Sequence, residues 1–155
     1  MTNNALIGIA GVHYVVSELS RRGLVALPTT KNIAAYDIIA VNTEGTWHAN
    51  IQVKASSQCV SFFPMPPAEK VRVGSKDFYV FVRWIAEEER YQGFLLTGKQ
   101  ARQAVESSCN NQSLSIQNGT RAKHFPIVHV GKTANQNAVR WEKAWKKWHV
   151  KKVPI

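Results

Sequence analysis

The sequence predicts an α/β domain: a central mixed sheet of four to five strands flanked by helices. Three observations carry that expectation. Leu6, Val12, Val15, Val16 and Leu19 recur near helical spacing in the first twenty-two residues. "YDIIAVN" and "WHANIQVK" are strand-like runs separated by the turn signal "TEG", which reads as a hairpin. "DFYVFVRWI" is so apolar that it suits a central strand buried on both faces.

The helix is expected from about Ala5 to Arg22, with Gly23 following "SRR" as a C-terminal stop. "LVALPTT" predicts a short strand ended by Pro28, and the hairpin is expected to close at Glu44-Gly45. "SSQCVSFFPMPPAEKVRVGSK" contains three prolines and reads as a long connection. "RYQGFLLT" predicts another strand, and "GKQARQAVESS" a short helix with Thr97 as its cap. "CNNQSLSIQNGTR" reads as a polar loop and "HFPIVHV" as a late strand. A final helix is expected from about Gln136 to His149, with Trp141, Trp145 and Trp148 in one stripe that suits core or interface packing.

Length and composition fit one domain spanning residues 1–155, and 45% apolar residues exclude a disordered chain. No run of eighteen apolar residues is present, so no membrane helix is expected. The N-terminal stretch lacks the basic region and cleavage site of a signal peptide, and Cys59 and Cys109 read as free thiols; both features fit the cytoplasm. Histidine and cysteine spacings match no zinc site, and no phosphate-binding glycine motif occurs.

Charge narrows the function. Twenty basic against ten acidic residues give a net charge of +10 and point to a polyanion partner, DNA being the expected one. From Arg121 onward there are nine basic residues and one acid, Glu142. Arg140, Lys143, Lys146 and Lys147 are therefore the candidate phosphate contacts.

Asp37 lies among apolar residues, where a carboxylate needs a partner. Gln52 follows fifteen residues later, and Lys54 two after that. In "IQVKASS", alternation puts Gln52 and Lys54 on one face and Ile51 and Val53 on the other. A wet edge strand explains this pattern without any site. The alternative is a small site in which Asp37 and Gln52 offer oxygens to a hard cation such as Mg²⁺ or Mn²⁺, and Lys54 offers positive charge to a phosphate.

The stretch from "GVHYVVSELSRRG" through "YDIIAV" to "IQVKAS" resembles the core of the PD-(D/E)XK nuclease superfamily, the restriction-endonuclease-like fold. It is most similar to the small stand-alone members related to Holliday-junction resolvases, and the match covers residues 8–57. The resemblance implies an α-β-β-β-α-β core, a Mg²⁺-dependent DNA endonuclease and a homodimer. It makes Asp37 the metal-binding aspartate, Lys54 the catalytic lysine, and Gln52 the occupant of a position usually Glu or Asp, with Asn32 and Tyr36 lining the site. One departure matters: Val12 stands where the family's first-helix glutamate is found. Glu18 is about 240° round the helix from it, and His13 reads as an ordinary helix residue. Two functions follow, a nuclease with a degenerate D-x14-QxK site or a catalytically inactive DNA-binding or protein-interaction module.

Overall fold

The computed structural model describes residues 3–30, 36–60, 62–111, 116–117, 120–121, 127–129 and 139–140. Helix α1 spans Asn4–Ser20, and the Asn3 side chain caps it by accepting from the Ala5 amide at 3.0 Å. Strands β1 (Leu24–Pro28), β2 (Ile38–Asn42) and β3 (His48–Ser56) follow as an antiparallel meander. The β2–β3 turn closes around Gly45, whose positive φ of 69° suits glycine.

Strand β4 (Phe62–Pro64), a 3-10 turn at Ala68–Lys70 and extended chain carry the polypeptide to β5 (Asp77–Ile85). Pro64, Pro66 and Pro67 keep this crossover from forming an α-helix, since proline lacks the amide hydrogen a helix interior needs. A second 3-10 turn, at Ala86–Glu88, leads into β6 (Arg90–Thr97). Helix α2 (Gly98–Asn111) comes after β6, not within the crossover that the resemblance would make helical. Thr97 and Gln100 cap α2 reciprocally: the Gln100 amide donates to Thr97 Oγ1, and the Thr97 amide to Gln100 Oε1.

Beyond α2, the expected polar loop holds a small ribbon of β7 (Ile116–Gln117) and β8 (Thr120–Arg121). The expected late strand is β9 (Ile127–His129), paired with β4. Val139–Arg140 form strand β10 against Leu95 and Phe94 of β6, which corrects the expectation of helix there. Strand β6 is buried through most of its length, so its outer backbone groups need a partner, and β10 supplies one. The remainder of the expected last helix, with its three Trp and with Lys143, Lys146 and Lys147, lies outside the described residues.

The main sheet has the order β1-β2-β3-β5-β6-β10. Its five longer strands agree with the expected mixed sheet, and among the described residues only β3–β5 is a parallel pair. Alternation along β5 sorts the core into two layers. Val80 and Val82 join Val15 and Leu19 of α1 with Ile38 and Ile51 on one face. Tyr79 and Phe81 join Phe63, Met65 and Val71 of the crossover with Ala101 and Val105 of α2 on the other. Fully burying a side chain such as Phe81 contributes about 1.5–3 kcal/mol.

Candidate functional site

Strands β2 and β3 pair from Val41↔His48 to Ile38↔Ile51 and then part. Asp37 stands in a bend just before β2, where the ladder opens, and not within the strand. Its amide still donates to the Ile51 carbonyl at 2.9 Å, while its carboxylate replaces the missing ladder bond. Oδ2 accepts from the Val53 amide at 2.7 Å. Val53 is the residue between Gln52 and Lys54, so the sheet brings Asp37 to that segment. The bond also answers why a carboxylate tolerates this position: it takes up a backbone donor that would otherwise lack a partner.

Gln52 and Lys54 share the face of β3 that carries their β5 partners Tyr79 and Phe81. Both are half-buried, and neither side chain has a hydrogen-bond or ion-pair partner among the described residues. Val12 packs against the apolar layer under α1, so an acid there would have to be desolvated. His13 is exposed, and Glu18 is committed to Arg21 and Arg22 at 3.1 and 2.5 Å. Among the described residues no three His, Cys, Asp or Glu side chains cluster as a metal site. Asn32 lies outside the described residues, as do the side-chain surroundings of Arg140.

Tyr36, the chain neighbour of Asp37, belongs to a polar network whose other members sequence reasoning missed. Asp77 is 9% exposed, and its Oδ1 accepts from the Tyr36 hydroxyl at 3.0 Å and Asn50 Nδ2 at 3.1 Å. Its Oδ2 accepts from the Gly74 amide at 2.9 Å. Arg72 donates through Nη1 to the Tyr36 hydroxyl at 3.1 Å and lies 4.8 Å over the Tyr36 ring. The Arg72 amide donates to the Tyr79 hydroxyl at 3.0 Å. Burial pushes the Tyr79 hydroxyl above its usual value of 10.0; the Asp77 charge adds to this, and the Arg72 amide and charge oppose it. The sequence signal was an acid, Asp77, opening a strand that is otherwise apolar apart from Arg83.

No family model matches the chain, and no curated protein matches it by sequence. Among solved structures, a bacterial homing endonuclease, I-Ssp6803I, shares its fold with a TM-score of 0.52 at 15% identity. The match covers 96% of this chain and 92% of that one. The fold is therefore a mixed-sheet α/β fold of the kind found in that nuclease. No described helix is long and apolar enough to cross a membrane.

Proposed function

We propose that the protein is a DNA-binding member of the PD-(D/E)XK superfamily that cleaves DNA in the presence of Mg²⁺ or Mn²⁺. The observation that carries this reading is the Asp37 carboxylate seated on the amide between Gln52 and Lys54, with neither of those side chains engaged by a partner among the described residues. The fold shared with a homing endonuclease and the net charge of +10 support it.

The donor set fits a weakly held hard cation. Asp37 Oδ2 accepts from the Val53 amide, and Asp37 Oδ1 and the Gln52 amide oxygen would be the protein oxygens to hold the ion. Mg²⁺ commonly keeps several waters and takes further oxygens from substrate phosphates, so two protein oxygens suffice once DNA is present. When bound, such an ion stabilises charge on the phosphoryl oxygens. Lys54 contributes its own positive charge to the phosphate under attack and orients the attacking water. The Val53 amide holds Asp37 in place through the cycle.

Plasmid nicking tests the reading. Wild-type protein is expected to nick supercoiled DNA with Mn²⁺ or Mg²⁺ and not in EDTA. Lys54→Ala and Asp37→Ala should abolish nicking, and Gln52→Glu should raise it by strengthening the hold on the cation. A wild-type protein and a Gln52→Glu variant that both bind DNA without cutting it would favour the second reading, an inactive DNA-binding module. Val12 in the apolar layer and the amide at Gln52 are the observations on that side. The homodimer implied by the resemblance belongs to this proposal as well.

A further inference from the structure

The connection from Lys70 to Lys76 carries three cations, Lys70, Arg72 and Lys76, in seven residues. None of them forms an ion pair among the described residues, whereas Arg21, Arg22 and Arg90 all do. The acids nearest in sequence do not neutralise them through contact. Asp77 is taken up by Tyr36, Asn50 and Gly74, and Glu69 has no partner among the described residues.

The backbone beneath these cations is fastened at Val71, Arg72, Gly74 and Lys76. Val71 is fully buried, and its carbonyl accepts from Arg102 Nη2 at 2.6 Å. The Arg72 amide is tied to Tyr79, the Gly74 amide to Asp77, and the Lys76 carbonyl accepts from the Asn50 amide at 2.8 Å. The start of α2 is pressed so closely beneath that a Cβ on Gly98 would lie 2.1 Å from the Arg72 carbonyl oxygen. Arg72 is exposed, yet its guanidinium is already oriented by the Tyr36 ring and hydroxyl. One Nη1 contact is used, and among the described residues the other donors of its planar fork have no partner, which leaves them for a ligand. An exposed arginine held in place loses less entropy on binding, and its fork suits phosphate.

Resting on the nucleic-acid reading above, we propose that Arg72 is a phosphate-binding residue. It grips the DNA backbone beside Asp37, the immediate chain neighbour of the tyrosine that holds it, with Lys70 and Lys76 as flanking contacts.

The test is the salt dependence of binding to a short fluorescein-labelled DNA duplex, measured by anisotropy in EDTA so that cleavage plays no part. Arg72→Gln removes one charge, so the log–log slope should become shallower by about 0.9. The wild-type advantage over this variant should then shrink about 3.5-fold between about 50 and about 200 mM salt. Arg72→Lys should keep the slope and bind more weakly, because it retains charge but not the planar fork. Tyr36→Phe should also keep the slope while losing affinity, because it removes only the hydroxyl anchor. Arg21→Gln, already paired with Glu18, serves as the control and should match the wild type. An Arg72→Gln variant with the wild-type slope overturns the assignment, even if its affinity is uniformly lower. A wild-type protein with no salt-dependent binding overturns the nucleic-acid reading itself. The two failures are therefore distinct.

Discussion

Tyr79 and Asp37 show how single side chains hold this site together. Tyr79 is 3% exposed and accepts the Arg72 amide, so it ties the basic connection to the central strand. Its folded-state pKa is raised above 10.0, which means the fold favours the protonated hydroxyl. That contribution is fully present below pH 10 and is lost as pH rises through the higher folded value. Chemical denaturation at a series of alkaline pH values should show wild-type stability falling above about pH 10. Tyr79→Phe should be less stable than wild type at neutral pH by about 1 kcal/mol, the worth of one hydrogen bond, and the gap should narrow as pH rises. A constant gap would mean that Tyr79 does not titrate with folding. Asp37 carries a structural share of its own, because its charged acceptor replaces a ladder bond to Val53. The nicking variants at this position therefore need a folding check beside the activity assay.

At the scale of elements, α1 lies closely against β3, the strand that carries Gln52 and Lys54. Gly11 sits at the crossing, and a Cβ there would come 2.5 Å from the Ala55 Cβ. Gly11, Val15 and Leu19 form the buried row of α1, at spacings of four residues. Gly11→Ala should force the helix away from the strand and destabilise the protein by about 1–3 kcal/mol, the usual cost of overpacking. A thermal melt measures this, and an unchanged melting temperature would show that the crossing relaxes freely. Gly8 is the control, since an added Cβ there meets nothing within 4 Å. The crossover before β5 acts differently. Its prolines exclude helix, and its buried Phe63, Met65 and Val71 cover the second face of the sheet, leaving the segment after them to carry cations.

For the whole molecule the governing quantity is the charge of +10. The surplus has two parts, the basic connection that carries Arg72 and the nine basic residues from Arg121 onward. If the C-terminal group also contacts phosphates, replacing Lys143, Lys146 and Lys147 with Gln should reduce the salt slope by about 2.7, three times the value for one contact. Titrations of the triple variant against the same duplex decide this. A slope equal to wild type would place the DNA on the Arg72 side alone.

The sequence alone determined the elements that depend on local pattern. Helical spacing marked α1, strand-like runs bounded by Pro28 and a turn signal marked β1 to β3, and a strongly apolar run marked β5, because these patterns follow from local backbone geometry. It also singled out Asp37, Gln52 and Lys54, whose separation suits a hairpin. Only the tertiary structure decided which partners those residues have. Val139–Arg140 become strand because β6 has an open edge, a demand arising more than forty residues earlier in the chain. Asp37 meets Val53 because β2 and β3 part at Ile38, which no local signal encodes. Asp77, Asn50, Tyr36 and Arg72 come together across three separate segments, and their grouping follows from the parallel register of β3 with β5. Non-local pairing is set by the summed burial of two sheet faces, so its consequences at a single residue appear only once the chain is folded.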